Sequence, residues 1–194
     1  ITRHPKDSER NTMKILNGQE LADFIKARQA RQVSSIPNKP KLLIIRDSNN
    51  PVILRYVNLK IEYGNDIGIA VEDYLAKNSE DIAQKIQSAN ADPSISGIIL
   101  QLPILDKTKT DELCNLIAPE KDVDGLGENA KFDSATATAI NWLLAGYDIK
   151  LNNAKIAIVG RGKLVGMPLY QMFTASHYDV SLFHRRFAWL SVTA

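Results

Sequence analysis

Four side chains stand where chemistry could be done: Tyr56, Lys60, Gln101 and Asp124. Tyr56 and Lys60 are four residues apart, so a helix would place them on one face. A lysine held beside a phenol in an apolar cleft has a lowered pKa and can polarise or deprotonate a substrate group. The competing arrangement is a lysine whose stem covers a core tyrosine while its ammonium reaches water. Gln101 closes an apolar run, Ile98-Ile99-Leu100, and a side-chain amide at the end of a buried strand must find partners. It could orient Lys60 or a ligand, or it could cap its own loop. Asp122-Val123-Asp124-Gly125 offers carboxylates to the donors of a heterocycle, or forms a solvated turn.

A second stretch, Val159-Gly160-Arg161-Gly162-Lys163-Leu164-Val165-Gly166-Met167-Pro168, suits phosphate. The run Ile156 to Gly160 before it reads as a strand buried on both faces, and a helical pattern follows it. Strand, glycine turn and helix make a dinucleotide fingerprint in G-x-G-x-x-x-G spacing. Gly160 allows the turn, Gly162 lets backbone approach a pyrophosphate, and Gly166 lets the helix pack close, with phosphate on the helix N-terminus. A purely structural strand-to-helix turn is the alternative.

These residues need a scaffold, and the pattern supplies one. Asn17 or Gly18 caps a helix through Leu21, Phe24, Ile25 and Arg28. Lys41 to Ile45 is a short apolar strand. Asp47 to Pro51 is a turn that opens a helix carrying Tyr56 and Lys60 and ending near Gly64 or Gly68. A second strand begins at Gly68. Ser79 reads as the N-cap of a helix with Ile82, Ile86 and Ala89 on one face, stopped at Asn90 to Pro93. Ile95 to Pro103 is a third strand. A helix with Leu113, Leu116 and Ile117 follows, then the loop from Pro119 to Gly125. Residues 127–134 read as a linker, Thr136 to Leu144 as a helix, and Val180 to Phe183 as a last strand. Alternating strands and helices predict an α/β fold with a parallel sheet. The division predicted is a tail over 1–12, one domain over 13–126, a linker and helix start over 127–138, and a second domain over 139–194, with Met13 as a natural start.

Composition narrows the function classes. Net charge of +2 gives no reason to invoke nucleic acid or a membrane surface. No apolar run reaches the roughly 20 residues of a membrane helix, and the polar N-terminus does not read as a signal peptide. One cysteine, Cys114, excludes an internal disulfide framework and reads as packing. His4, His177 and His184 are scattered and show no metal-ligand spacing.

At the level of blocks the chain resembles the bifunctional methylenetetrahydrofolate dehydrogenase/cyclohydrolase family. The matching blocks are Ile15-Leu16-Asn17-Gly18; Tyr56-x-x-x-Lys60 after an Asn-Pro turn; Asp92-Pro93 followed by Gly97 to Pro103, which contains Gln101-Leu102-Pro103; Pro119 to Gly125; and Val159-Gly160-Arg161 with Val165-Gly166-x-Pro168. The resemblance implies two domains, a parallel-sheet folate domain and a Rossmann-type dinucleotide domain. It implies oxidation of methylenetetrahydrofolate with NADP, or NAD, and hydrolysis of the methenyl product to 10-formyltetrahydrofolate. Lys60 would be the polar catalyst of hydrolysis, Tyr56 would line the pterin, Gln101 would tune Lys60, and Asp124 would accept from the pterin amine and ring N–H. Gly160, Arg161, Gly162, Val165, Gly166, Pro168, His184 and Arg185 would hold the dinucleotide. A cytosolic homodimer is also implied.

The chain departs from the family pattern at several points. Ile53 replaces a usual serine, Ser134-Ala135-Thr136-Ala137 replaces Pro-Cys-Thr-Pro, and Gly162 replaces a serine at the phosphate turn, which removes one hydroxyl donor. The family continues well past His184-Arg185-Arg186, so the dinucleotide domain is expected to be incomplete here. Two other readings remain: a folate-binding relative without turnover, and another nucleotide-dependent oxidoreductase of the same layout.

Overall fold

The structure is a computed structural model, and it describes residues 15–184. Three parallel strands form the first sheet: β1 (Lys41–Arg46), β2 (Ala70–Leu75) and β3 (Gly97–Leu100), in the order β2-β1-β3. β1 is central, and its apolar run is explained by cover on both faces. Leu43 and Ile45 pack with Ile82, Ile86 and Ala89 of α3 (Ser79–Ala91) and with Leu113 and Cys114 of α4 (Thr110–Asn115). Ile44, pointing the other way, packs with Ile53 and Val57 of α2 (Pro51–Ile67) and with Ile99. The period of two along β1 thus separates two apolar clusters. Burying an aliphatic side chain of this kind contributes roughly 1.5–3 kcal/mol.

Two further helices complete the layers, the first packed on α2 and on the second. α1 (Gly18–Ser34) is capped by Asn17, and α5 (Ala135–Gly146) follows Ser134. β4 (Lys155–Val159), α6 (Gly166–Ala175) and β5 (Asp179–Phe183) form a parallel strand–helix–strand unit. Its core is Ala137, Ile158, Leu169 and Phe173.

Four readings are corrected. β4 is not buried on both faces: Val159 is 55% exposed, and only Ile158 of the strand is buried. Among the described residues β4 pairs with β5 alone, and a sheet of two strands cannot cover both faces. The cap of α3 is Asn78, not Ser79; its side chain accepts from the Asp81 N–H, and Asp81 in turn accepts from the Lys77 N–H. The acidic residue at the third helical position therefore ties down the residue before the cap. β3 is four residues, shorter than the run from Ile95 to Pro103, because the chain turns at Pro93–Ser94 before it and bends at Leu102–Pro103 after it. α4 ends at Asn115, leaving Leu116 and Ile117 just beyond it. Arg185 and the tail from Phe187 lie outside the described residues, as do Met13 and the segment before it.

Candidate active site

The first turn of α2 is built by local polar contacts. Asn50 accepts from the Val52 N–H, and Pro51 stands at the first helical position, where its missing N–H costs nothing. Arg46, last in β1, grips Asp73 of β2 through Nε and Nη2 at 2.9 and 2.8 Å. Its Nη1 donates to the Ser48 carbonyl and to Asn49 Oδ1. One guanidinium thus fixes the turn from which α2 starts, and so the direction in which Tyr56 and Lys60 project.

Lys60 Nζ donates to Gln101 Oε1 at 2.8 Å. Gln101 is buried, 9% exposed, and its own NH2 donates to the Leu102 carbonyl at 3.0 Å. The amide therefore orients Lys60 and caps its loop at once. Burial pushes the Lys60 ammonium below the usual lysine pKa, and Asp124 partly restores it. Burial pushes the Asp124 carboxyl above the usual aspartate range, and Lys60 partly offsets that. Each charge is desolvated, and each lessens the other's penalty. Tyr56 is 56% exposed, so here the tyrosine faces outward and the lysine is the shielded one. That is the reverse of a lysine snorkelling over a core tyrosine.

Asp124 is held by a loop whose anchor is its neighbour. Asp122 is 1% exposed, and its carboxylate accepts from the N–H groups of Gly125, Leu126 and Gly127 at 3.0, 3.1 and 2.7 Å. Lys121 donates to the carbonyls of Ala89, Asn90 and Asp92, closing the end of α3. Asp122 and Lys121 are scaffold, which leaves Asp124 as the carboxylate available to a ligand. Gly125 has φ 65°, and a Cβ there would meet the Phe132 carbonyl oxygen at 2.5 Å. Only glycine fits a loop that folds back this tightly.

The glycine turn has the form the spacing predicts. Gly160 has φ 118°, and a Cβ on Gly166 would lie 1.9 Å from the Gly160 oxygen. Helix and turn therefore touch where glycine alone permits it. Above Gly160 and Gly162 a Cβ would meet nothing within 4 Å, so the turn has open space for a phosphate. Val165 and Gly166 begin α6, whose first N–H groups have no side-chain cap, and Pro168 follows in its first turn. Arg161 Nη2 donates to the Leu182 carbonyl at 3.4 Å. The Gly160 N–H donates to the Phe183 carbonyl at 2.8 Å, which brings His184 beside the turn. A cleft of about 530 Å³ lies between this turn and the loop after Asp124, lined by Asp111, Gly127, Arg161, Lys163 and Pro168. Glu128 lines it too, so the two acids offset Arg161 and Lys163, and an anionic dinucleotide would rest on the backbone of the glycine turn and the α6 N-terminus.

The residues picked out in the sequence, Arg185 apart, fall into two groups. Lys60, Gln101 and Asp124 meet at the carboxyl end of the first sheet, while Tyr56, one turn earlier on α2, is turned outward. Gly160, Arg161, Gly162, Val165, Gly166, Pro168 and His184 gather at the end of the second. A family profile described as "Tetrahydrofolate dehydrogenase/cyclohydrolase, catalytic domain" matches residues 16–124, and one for that family's "NAD(P)-binding domain" matches residues 134–192. This chain belongs to that family.

Its relatives in the tetrahydrofolate dehydrogenase/cyclohydrolase family include the "Bifunctional protein FolD" of Chlamydia felis, 31% identical over 176 residues, covering 84% of this chain and 61% of that relative. The protein of the same name from Leuconostoc citreum is 30% identical, covering 88% and 66%. The solved structure of the bifunctional FolD dehydrogenase/cyclohydrolase from Campylobacter jejuni superposes with a TM-score of 0.83 at 27% identity, over 94% of this chain and 69% of that one. The bifunctional enzyme from Thermoplasma acidophilum gives 0.79 at 28%, over 88% and 66%. The chain thus spans a little over six-tenths of the curated relatives it matches first.

Two features escaped the spacing argument. Lys163 Nζ pairs with Asp111 at 2.6 Å, joining the glycine turn to the start of α4. Asp47 is 7% exposed at the carboxyl end of β1, the same topological position that singled out Gln101. A larger cavity of about 920 Å³, lined by Leu21, Ile25, Tyr63 and Trp142 among others, lies between α1, α2 and α5 and includes none of Lys60, Gln101 and Asp124. It is mostly apolar, its polar lining being Gln29, Tyr63, Asp133, Thr136 and Thr138. Among the described residues no helix is long and apolar enough to cross a membrane, and no cluster of three or more His, Cys, Asp or Glu could hold a metal ion.

Proposed function

We propose that this chain is the folate-binding and dinucleotide-binding part of a methylenetetrahydrofolate dehydrogenase and methenyltetrahydrofolate cyclohydrolase. The carrying observation is the buried contact between Lys60 and Gln101, with Asp124 facing the same lysine. Residues 13–126 form the folate domain, 127–138 the link, and 139–194 the part of the dinucleotide domain contained in this sequence. The proposed site takes a pterin against Tyr56, with its amine and ring N–H on Asp124 in charge-assisted hydrogen bonds. The one-carbon bridge then lies toward Lys60.

In the hydrolytic step the methenyl carbon is already an electrophile, so modest activation of water suffices. Lys60, desolvated and held by Gln101, exchanges a proton with that water and the departing nitrogen. NADP, or NAD, when bound at the Gly160 turn supplies the acceptor for the preceding oxidation. Gly160, Gly162, Val165 and the N-terminus of α6 at Gly166 hold its phosphates, with Arg161 and His184 at the edge and Arg185 beyond the described residues. An arginine there suits a 2′-phosphate, which favours NADP. We infer a cytoplasmic homodimer from the resemblance.

The test is spectroscopic. The full-length protein with methylenetetrahydrofolate and NADP or NAD should raise the absorbance of reduced nicotinamide, followed by growth and decay of methenyl absorbance. No signal with either nucleotide would defeat the assignment.

A further inference from the structure

Asp47 is a buried carboxylate that the proposed chemistry does not use. Its Oδ2 accepts from the Leu105 N–H at 2.9 Å, while its Oδ1 has no hydrogen-bond partner among the described residues. The adjacent Arg46 does not neutralise it, because that guanidinium is spent on Asp73, Ser48 and Asn49. A buried carboxylate with one oxygen unpaired is costly, so it needs a reason.

The reason lies in what Leu105 belongs to. The segment from Gln101 to Leu105 leaves β3 and carries the amide that holds Lys60. Its first residue is tied to β1 by the Gln101 N–H donating to the Ile45 carbonyl at 2.8 Å. Its last residue is tied to β1 by Asp47. Between those two anchors the Gln101 side chain gives its NH2 to the Leu102 carbonyl at 3.0 Å, which turns its oxygen toward Lys60. If the far anchor is cut, the segment keeps its hold at Gln101 and at the buried Ile104, but the carbonyl that orients the amide loses one of its supports.

We propose that Asp47 is a positioning residue for Gln101 and, through it, for Lys60: it pins the segment 101–105 so that the amide oxygen faces the lysine. The proposal rests on the reading of Lys60 as the catalyst. Asp47 works by its hydrogen bond and not by its charge, since the charged group that acts on Lys60 among the described residues is Asp124.

The experiment uses the full-length protein and two readouts. The first is the pH profile of Lys60 acylation by an isotope-labelled anhydride, read by peptide mass spectrometry without substrate. The second is kcat and KM for methenyltetrahydrofolate hydrolysis. In Asp47→Ala the labelling midpoint of Lys60 should move to lower pH, because the amide oxygen that accepts from its ammonium is lost while burial remains. The kcat should fall on the order of tenfold to a hundredfold with KM little changed. Leu105→Pro, which deletes the same hydrogen bond from the donor side, should do likewise and serves if Asp47→Ala does not fold. Asp47→Asn keeps an oxygen for the Leu105 N–H and should retain both properties.

Folded Asp47→Ala or Leu105→Pro protein with a wild-type labelling profile would overturn the proposal. So would an Asp47→Asn variant as impaired as Asp47→Ala, because charge would then be the active property. Absence of hydrolysis by the wild type would defeat the catalytic reading alone, since the labelling comparison still decides whether Asp47 positions Lys60.

Discussion

The Lys60 nitrogen lies 2.8 Å from the Gln101 amide oxygen, joining the middle of α2 to the end of β3. These residues are 41 positions apart in sequence. The contact exists because β1 and β3 are parallel neighbours, with Ile45 opposite Leu100, and α2 covers one face of the sheet. Asp124 completes the group from the loop beyond Asp122, whose backbone bridges to β3 at Ile98. Three elements therefore converge on one ammonium.

Asp124 supports the charge on Lys60 against burial, which fixes the sign of its removal. Asp124→Asn leaves burial unopposed, so the Lys60 pKa should fall further below its ordinary value. The acylation midpoint of Lys60 should move to lower pH. Pterin affinity should drop about tenfold to a hundredfold, the range for a lost hydrogen bond to a charged group. An unchanged midpoint together with unchanged pterin affinity would remove Asp124 from the site.

Asp122 should matter to stability. Asp122→Ala strands three backbone N–H groups that now reach one buried carboxylate. The loss should be roughly 3 kcal/mol or more, read from the denaturant midpoint. Asp124→Asn, which breaks no backbone contact of this kind, should cost far less. Equal losses in the two variants would contradict the division between scaffold and site.

At the phosphate turn two glycines should answer differently. Gly166→Ala places a Cβ 1.9 Å from the Gly160 oxygen and should destabilise the turn and weaken dinucleotide binding. Gly162→Ser meets nothing within 4 Å and restores a hydroxyl donor. It should fold normally and tighten dinucleotide binding by about 0.5–1.5 kcal/mol, the net worth of one hydrogen bond. Calorimetric titration with NADP would check both, and weaker binding by Gly162→Ser would contradict the open cradle.

The elements around the site were legible where local rules dominate. Apolar runs gave β1 and β3, and Asn50-Pro51 gave the start of α2. The shared face of Tyr56 and Lys60 was legible too, but not which of them would be shielded, because that depends on the neighbours β3 and the Asp124 loop supply. Burial of β4 was overestimated because the Ile156 to Gly160 run describes the residues, while cover depends on how many strands and helices pack on them. The role of Asp122 was hidden for a similar reason: a carboxylate that holds a loop and one that faces Lys60 look alike in Asp-Val-Asp-Gly. Asp47 needed only the argument already applied to Gln101, carried to the neighbouring strand.

The most direct measurement is methenyltetrahydrofolate hydrolysis by full-length wild-type protein and by Lys60→Met. Methionine keeps the apolar stem in its packed environment and removes the buried charge, so the variant should fold with a melting temperature at or above wild type. Its hydrolysis rate should fall at least about 10²-fold, the lower range for loss of a positioned acid–base group. A folded Lys60→Met protein that hydrolyses the methenyl compound at the wild-type rate would contradict the account.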